Sequence, residues 1–398
     1  MNAAAESLAP TVPPATGHAG EWLVFFGEDW GRHASTAQFL AAELAHTRPV
    51  LWINSLGLRT PRPGIADLRR VIAKLRAART QERHPAKCPD ADGPVVCAPL
   101  AVPLLGLPGV RACNRRLLRR QLRRVLDAHG IVRPTVVVAC PAAVDALDAL
   151  DPGFVVYYCA DDHAAFPGMN ARRVRRLEAE LLARCDRVVA SSRLLVERHA
   201  RHHADVRYLP HGVSHARMRE ALARPPRPPG LPATGRPVAG FVGQMSAHID
   251  WGLVAEVMAR LPGIDFVFVG PVVAGTRPPA AVNARFVGPR PHQELPRWLA
   301  AFDVALMPFA DSPRVRAAHP TKIREYLAAG LPVVATPHPE LAGLSPWIRV
   351  AREPGEFARA VADYAAGAAQ RDRAAIAAPM AAHDWSHRAV AFAGMLQP

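Results

Sequence analysis

The sequence predicts an α/β fold of two Rossmann-like, doubly wound domains that face each other across a cleft. The length of 398 residues agrees with two or three domains. Short apolar runs alternate with amphipathic stretches, which is the pattern of βαβ units with a mostly parallel sheet. One segment rich in Pro and Gly, 224–237, interrupts this alternation, which then starts again. A break of this composition is typical of a linker between domains.

The first half begins with residues 1–20, which are rich in Ala and Pro. They lack the basic segment followed by an apolar segment that is typical of a signal peptide, so we expect a disordered lead-in. Residues 21–223 are expected to form the first domain. Its predicted strands are 22–26, 50–53, 95–98, 135–139, 154–158 and 187–190, and its predicted helices are 34–45, 110–129, 170–184 and 192–202.

The alternation that restarts after the linker predicts a second domain at 238–380, followed by a terminal helix within 381–398. The cytoplasm is the expected location, because no run of about 18 apolar residues is present to cross a bilayer. The predicted strands of this half are 238–242, 266–269, 285–287, 304–307 and 333–335, and its predicted helices are 250–260, 292–301, 320–329 and 355–366.

Cysteine spacing and net charge narrow the class of partner. The six cysteines are scattered without a CxxC pair, so we expect reduced thiols that bind no metal. The net charge is +15, and most of the excess lies in residues 1–225. Such a surface favours lipid headgroups, phosphorylated substrates or nucleic acid as partners. Only three of the 49 basic residues are lysines, so the position of a lysine is informative.

One predicted helix, at 110–126, is basic and amphipathic. Its apolar residues share one face and its arginines occupy the remainder. Two interpretations stay open. The helix lies on an anionic membrane surface, where each basic residue contributes about 1 kcal/mol, or it packs its apolar face on the sheet as an ordinary domain helix. In the second case the basic outer face of the helix still attracts a membrane electrostatically, at the inner, cytoplasmic face of that membrane.

The strongest local signal is a helix followed by a strand at 319–336. Pro320 fits the first helical turn, and Gly330 fits the left-handed position after the helix. The helix follows a strand and its loop, so its N-terminus points to the carboxyl end of the sheet, where open α/β sheets bind ligands. Free N–H groups and the helix dipole favour a phosphate there.

Charged side chains on and before this helix have the chemistry of a nucleotide site. Lys322 lies in the first turn and suits a diphosphate as a point charge. Glu325 lies on nearly the same face and can accept hydrogen bonds from a ribose diol. The loop before the helix places Arg316 near the same ligand. The alternatives are a solvated lysine, a glutamate paired with a nearby arginine, and solvated loop charge.

A second candidate site is the cluster Asp161-Asp162-His163, which follows a buried strand and should face the cleft from the first domain. A carboxylate there can take the proton of an acceptor hydroxyl, so Asp161 and Asp162 are the candidate catalytic bases. The alternatives are a helix N-cap or a partner for Arg172 and Arg173. No second carboxylate has the spacing of a DxD metal site, so no metal is expected.

The loop that follows the first strand, residues 27–33, contains Gly residues but no GxGxxG fingerprint. Arg32 and His33 in this loop are candidates for holding a phosphate of the acceptor. A capped strand-to-helix turn explains the same residues without a ligand.

With these motifs the sequence resembles the GT-B glycosyltransferases, specifically bacterial enzymes that build cell-surface polysaccharides of the teichuronic acid and exopolysaccharide type. That family carries a P-x-K-x-x-E-Y-x-A-x-G-x-P-V-V element in its second half, and residues 320–334 match it. The resemblance covers residues 20–395. Further matches are Phe241-Val242-Gly243, Phe268-Val269-Gly270-Pro271, Phe286-Val287-Gly288, the run from Tyr157 to Asp162, and the run from Leu209 to Val213.

The resemblance implies a GT-B fold whose second domain binds a nucleotide sugar. Lys322 would contact the diphosphate and Glu325 the ribose, while Gly243 would let the backbone approach the phosphates. Thr321 and Tyr326 belong to the same element and are expected in the donor site.

The expected function is therefore transfer of a hexosyl or related sugar from a nucleoside diphosphate sugar, with UDP as the nucleotide, to a lipid-linked polysaccharide precursor. No cofactor beyond the donor is expected, because Lys322, the helix N-terminus and backbone amides stabilise the leaving diphosphate. Many retaining relatives carry a Glu where this chain has Ala317, so retention and inversion both stay open.

Two other functions remain as alternatives. A sugar-nucleotide epimerase or a phosphorylase can use the same two-domain scaffold, since a fold does not determine a function. An Arg-rich nucleic-acid-binding protein is the remote alternative. We expect no nucleic acid as partner, because no recognised binding module is present and aromatic residues make up only 6% of the chain.

Overall fold

The structure is a computed structural model that describes residues 22–31, 35–55, 93–102, 109–231, 234–367 and 371–398. Within these residues two parallel sheets form, one on each side of the segment 224–237. Helices cover both sheets, so the predicted α/β, doubly wound fold class is confirmed. None of the helices in the described ranges is both long and apolar enough to cross a membrane.

The described part of the first sheet has seven strands in the order β3-β2-β1-β4-β5-β6-β7, all parallel. These are β1 (Leu23–Phe26), β2 (Val50–Ile53), β3 (Val95–Cys97), β4 (Thr135–Val138), β5 (Phe154–Cys159), β6 (Arg187–Ala190) and β7 (Val206–Tyr208). The helices of this half are α1 (Thr36–Ala45), α2 (Val110–Ala128), α3 (Ala171–Leu182), α4 (Arg193–Ala200) and α5 (His215–Arg219).

The second sheet, in the described residues, has the order β10-β9-β8-β11-β12-β13 and is also parallel. Its strands are β8 (Val238–Val242), β9 (Asp265–Val269), β10 (Ala284–Gly288), β11 (Val304–Met307), β12 (Val333–Ala335) and β13 (Ile348–Val350). The helices are α6 (Trp251–Arg260), α7 (Leu295–Ala300), α8 (Pro313–Ala317), α9 (Thr321–Ala328), α10 (Pro354–Ala366), α11 (Arg373–Ala377) and α12 (Trp385–Ala393).

The central strands form because they are continuous apolar runs, which suit a parallel sheet covered on both faces. Every residue of β1, β2, β5, β8, β9 and β11 is buried. The sequence did not predict β7 or β13, which lie at sheet edges and are only three residues long. Both have exposed or half-buried residues, so they carry too little apolar signal to be recognised.

The terminal helix α12 leaves the second half of the chain and packs on the first sheet. The ring of Phe392 lies 6.1 Å from that of Phe25 and 5.5 Å from that of Tyr158. Trp385, at the start of the helix, stacks on Phe39 of α1 with ring centroids 5.0 Å apart. The last helix therefore ties the two halves of the molecule together.

Direct hydrogen bonds also join the two halves. Ser192 Oγ donates to the carbonyl of Ala317 at 2.7 Å. The carboxylate of Glu340 accepts from the backbone N–H of Arg193 and from the hydroxyl of Tyr208, each at 2.7 Å. The loop that leads into α9 is thus fixed against the first sheet, and this contact determines which residues face each other at the site.

Candidate active site

The site lies at the carboxyl ends of both sheets. The strand order reverses between β1 and β4 in the first sheet and between β8 and β11 in the second. Ligands of open α/β sheets bind in the crevice at such switch points. The loops after β5, β8 and β11 and the start of α9 are therefore the places to look for functional side chains.

The loop after β8 brings its backbone close to two neighbouring elements. Gly243 has φ +154° and Gly270 has φ +142°, values that favour glycine. A Cβ on Gly270 would lie 1.9 Å from the carbonyl oxygen of Gly243, so a side chain is excluded there. A Cβ on Gly243 would lie 3.8 Å from Cε of Lys322. The predicted phosphate loop and the predicted phosphate lysine thus lie side by side.

Lys322 and Glu325 form one ionic unit on α9. Lys322 Nζ donates to Glu325 Oε2 at 2.8 Å, and His292 Nε2 lies 3.6 Å from Glu325 Oε1. Burial raises the pKa of Glu325, but the charge of Lys322 and the hydrogen bond from His292 outweigh it and lower the pKa to about 2. The low pKa and the two contacts keep the carboxylate ionised and in one orientation.

His292 connects this carboxylate to the first half of the chain. Its Nδ1 lies 3.2 Å from Nη1 of Arg217 on α5, and its ring centroid lies 6.3 Å from that of Phe39 on α1. Sequence reasoning missed His292, because nothing in its local pattern separates it from a solvated loop histidine.

Tyr326 requires a correction. It was expected in the donor site, but its side chain is fully buried. Its hydroxyl accepts from the N–H of Val242 at 2.8 Å and donates to the carbonyl of the same residue at 3.2 Å. It therefore has no surface for a ligand and instead ties α9 to the end of β8. Thr321, the first residue of α9, is half-buried at the helix N-terminus, where it was expected.

Two arginines of α8, Arg314 and Arg316, point in different directions. Arg316, the predicted donor residue, is exposed and forms a bidentate ion pair with Asp311 at 2.5 and 2.6 Å. Arg314 instead points to the first domain, where its guanidinium lies 4.8 Å from the ring centre of Phe166. It also acts electrostatically on Asp161. The α-helical spacing separates these two neighbours onto different faces.

Asp161 lies two residues beyond β5 and is half-buried. Burial raises the pKa of its carboxyl, while the charges of His163 and Arg314 act in the opposite direction. His163 Nε2 lies 3.0 Å from the carbonyl oxygen of Ala139, just beyond β4, and this contact fixes the ring at the switch point. Asp161 therefore lies at the carboxyl end of the first sheet, beside His163 and under the charge of Arg314.

Asp162 has the alternative role that the sequence left open. One carboxylate oxygen accepts from the N–H of Ala164 at 3.2 Å and caps a short 3-10 helix. The other accepts from Arg198 Nη1 of α4 at 2.6 Å. The ion pair is with Arg198 and not with Arg172 or Arg173. Because both oxygens are engaged and the side chain is buried, Asp162 holds the loop that carries Asp161.

Arg32 and His33 lie outside the described residues. Before them, Glu28 is described in the same loop, and its carboxylate accepts from Gln38 Nε2 at 3.2 Å. Burial raises the pKa of Glu28, and the charge of His163 acts against that shift. Glu28 and Asp161 therefore share His163 as a neighbour, an arrangement that joins two loops distant in sequence.

The fold and this arrangement define a protein of the GT-B type, and the resemblance to GT-B glycosyltransferases is confirmed. Residues 251–394, less than half of the chain, match the family described as "Glycosyl transferase-like". The described elements α6 to α12, with the predicted donor-site residues Lys322 and Glu325, lie within that match.

Curated relatives match over short segments. TuaH of Bacillus subtilis, named for glycosyl transfer in teichuronic acid biosynthesis, is 33% identical over 107 residues, which cover 25% of this chain and 26% of that protein. The 2-deoxystreptamine glucosyltransferase of Streptomyces kanamyceticus is 38% identical over 90 residues, 20% of this chain and 23% of that protein. The chain thus spans about a quarter of the length of the curated relatives that it matches.

Solved structures match over nearly the whole chain. HepE of Anabaena, in complex with UDP and glucose, superposes with a TM-score of 0.65 at 14% identity and covers 94% of this chain and 99% of its own. Sucrose-phosphate synthase of Thermosynechococcus elongatus gives a TM-score of 0.64 at 14% identity. The match covers 94% of this chain and 98% of that protein's chain. At this identity the likeness shows the GT-B fold.

Proposed function

We propose that this protein transfers a sugar from a nucleoside diphosphate sugar to a hydroxyl of a polysaccharide precursor. One observation carries the proposal: an ionised Lys322–Glu325 pair lies at the N-terminus of α9, beside the backbone of Gly243. This set offers a cation, free helix N–H groups and an oriented carboxylate to one ligand, which suits a diphosphate joined to a ribose.

UDP is the nucleotide we propose for the donor. HepE was solved with UDP and with UDP-glucose. The trehalose-phosphate synthase of Burkholderia vietnamiensis, with a TM-score of 0.61 at 14% identity, is UDP-forming. Both share the two-domain scaffold with this chain. The names of TuaH and of the deoxystreptamine enzyme support a sugar as the transferred group.

In the proposed reaction Asp161 accepts the proton of the acceptor hydroxyl as its oxygen attacks the anomeric carbon. The bond from that carbon to the diphosphate breaks, and Lys322 with the α9 N–H groups stabilises the charge of the leaving group. Ala317 offers no second carboxylate on the donor side and is fully buried. This favours a single displacement with inversion.

The basic surface of the first domain supports a lipid-linked acceptor. Arg116, Arg119 and Arg123 of α2 are exposed, whereas Leu118 and Leu122 are buried against the sheet. The apolar face is therefore not free to insert into a bilayer. Arg111 ties α2 to Glu180 of α3, whose outer face adds the exposed arginines Arg172, Arg175 and Arg176. We propose that this surface holds the protein at an anionic membrane by electrostatic attraction.

The test begins with calorimetric titration of UDP, GDP and their sugar conjugates into the purified chain without added metal. Saturable binding of UDP or its conjugate is expected. Absence of binding by any nucleotide to folded protein would contradict the proposal. Turnover of the nucleotide sugar without an acceptor would instead favour an epimerase or a hydrolytic activity.

The catalytic assignment is tested with Asp161→Asn. Donor binding should be unchanged, and transfer to the acceptor should fall about 10²- to 10⁴-fold, the usual contribution of a general base. Asp127→Asn, at an exposed position of α2, is the matched control and should keep full activity. An Asp161→Asn variant with full transfer activity would remove Asp161 from the reaction.

A further inference from the structure

Three side chains that can bind a metal converge in the core of the first domain, directly behind the Asp161 loop. Cys159 ends β5, Glu178 lies on α3 and His199 lies on α4. His199 Nε2 is 3.3 Å from Cys159 Sγ and 3.9 Å from Glu178 Oε1. All three donor atoms lie within 4.8 Å of one another, and Cys159 and His199 are buried.

The charge of this cluster is not balanced by the described side chains. Tyr157 donates its hydroxyl to Glu178 Oε1 at 2.6 Å, but a hydroxyl carries no charge. No lysine or arginine of the described residues forms an ion pair with Glu178, and the neighbouring Arg198 is engaged by Asp162. Burying a carboxylate without a cation is unfavourable. A bound cation would balance the charge of this carboxylate.

We propose that a divalent metal ion, zinc, binds Cys159, Glu178 and His199. On binding, the thiol proton of Cys159 is released to solvent and the thiolate sulfur, the imidazole nitrogen and the carboxylate oxygen become ligands. The two negative charges then balance the ion, and the buried site is neutral. This mixture of sulfur, nitrogen and oxygen donors is one that zinc accepts readily.

The separation of Cys159 Sγ and His199 Nε2 is close to that in a zinc site, while Glu178 Oε1, at 3.9 Å from Nε2, lies slightly farther out. Zinc–sulfur and zinc–nitrogen bonds of about 2.3 and 2.0 Å, at a tetrahedral angle, place the two donors roughly 3.5 Å apart. The observed separation of Sγ and Nε2 is 3.3 Å. His199 Nδ1 has no partner among the described residues, so no hydrogen bond commits the ring proton to Nε2. The hydroxyl of Tyr157 donates to Glu178 Oε1 at 2.6 Å and so orients that carboxylate within the cluster.

The site would be structural. The three proposed ligands and Tyr157 are buried or nearly so, which leaves no open position for substrate. Asp161 follows Cys159 by two residues, and Arg198, which holds Asp162, precedes His199. An ion at this point would fasten β5, α3 and α4 together and fix the loop of the proposed base. The inference does not depend on the identity of the donor sugar.

The direct test is the metal content of the purified full chain after dialysis, measured by plasma mass spectrometry. About one zinc per chain is expected. Cobalt exchanged into the site should show the near-ultraviolet charge-transfer absorption of a cobalt–thiolate bond. Less than about 0.1 metal per folded chain, with no cobalt–thiolate band, would overturn the proposal. NMR signals of a charged imidazolium at His199 near neutral pH would do so too.

Variants locate the ion. Cys159→Ser and His199→Ala should lose the bound zinc and the cobalt band. Cys185→Ser and His203→Ala are matched controls, because they remove a cysteine and a histidine of the same domain that contact each other through the Cys185 carbonyl at 3.0 Å. They should keep the full zinc content. Loss of zinc from the controls alone would place the ion elsewhere and overturn the assignment. If the ligand variants fail to fold, the cobalt spectrum of the unmodified chain still shows whether a thiolate binds the metal.

Discussion

At the scale of single residues, the proposed donor site depends on one of only three lysines in a chain that otherwise uses arginine. Lys322 is 28% exposed at its side chain and pairs with Glu325, which is 14% exposed. A cation in the first turn of a helix interacts unfavourably with the positive end of the helix dipole. The diphosphate that we propose at the same helix end would offset this cost.

Substitution of this lysine should weaken nucleotide binding. In Lys322→Ala the diphosphate loses a charged hydrogen-bond donor, worth about 1.5–3 kcal/mol, so the Kd for UDP should rise about ten- to a hundredfold. Calorimetry measures the change. Arg277→Ala, at an exposed position of the same domain, should leave the Kd as it is. An unaltered Kd in Lys322→Ala would exclude Lys322 from the diphosphate site.

The two arginines of α8 allow a paired prediction. Arg314→Ala removes the contact with Phe166 across the domain boundary, and a cation–π contact is worth about 0.5–2 kcal/mol. We expect kcat/KM to fall about two- to thirtyfold. Arg316→Ala breaks only an exposed pair with Asp311, which contributes little. Equal losses of kcat/KM in both variants would show that the structure misassigns the two side chains.

At the scale of elements, α9 is positioned by buried contacts and not by its own helix propensity. Its eight residues are too few for a stable isolated helix. Ile323, Tyr326 and Leu327 are fully buried, and Gly330 at φ +75° ends the element against Arg373 and Leu222. The helix therefore presents Lys322 and Glu325 in one orientation.

The basic face of α2 is a second element with a prediction of its own. Reversing charge in Arg116→Glu, Arg119→Glu and Arg123→Glu together should lower binding to anionic liposomes, since each basic residue near the surface contributes about 1 kcal/mol. Co-sedimentation at two salt concentrations measures the loss, which should shrink as salt screens the attraction.

Matched reversals at exposed positions of the second domain provide the control. Arg277→Glu, Arg352→Glu and Arg359→Glu change the net charge by the same amount. They should reduce liposome binding less than the α2 variant does. Equal effects would mean that total charge, and not the α2 face, attracts the membrane.

At the scale of the whole molecule, buried histidines line the boundary between the two halves. The rings of His211 and His319 pack edge to face with centroids 4.9 Å apart, beside the buried Arg324. Burial, with the charge of Arg324, lowers the pKa of His211 to about 3. Burial also lowers the pKa of His319, and the neighbouring charges add to the shift.

This arrangement predicts a loss of stability in acid. The unfolded state protonates each histidine near pH 6.5, whereas folded His211 stays neutral down to a pH of about 3. The stabilisation is complete above pH 6.5 and is lost as the pH falls below it, by about 1.4 kcal/mol per pH unit for each such histidine. Urea unfolding between pH 5 and 6.5 measures this slope.

In His211→Gln, unfolding takes up about one proton fewer. The slope should therefore be smaller by about 1.4 kcal/mol per pH unit. His387→Gln, at an exposed histidine of α12, should leave the slope as in the unmodified chain. The same slope in all three proteins would show that His211 titrates in the folded state as it does in the unfolded one.

Much of this architecture was predictable from sequence, because parallel strands buried on both faces are continuous apolar runs. The bounds of β2, β6, β8, β11 and β12 agree with the predicted ones. The motif around Lys322 was recognisable because lysine is rare here and Pro320 and Gly330 mark the helix ends. The precise domain limits, at 21–223 and 238–380, stay predictions.

The sequence by itself determined the class of fold, most of its strands and the placement of Lys322 and Glu325 on one face of a helix, since local periodicity and helix-end signals carry that information. Tertiary structure alone decided the partners of the candidate side chains: Asp162 pairs with Arg198, and Arg314 lies against Phe166. It also decided that Cys159, Glu178 and His199 meet. The physical reason is that these pairings depend on contacts between elements far apart in sequence, and no local sequence pattern records such contacts.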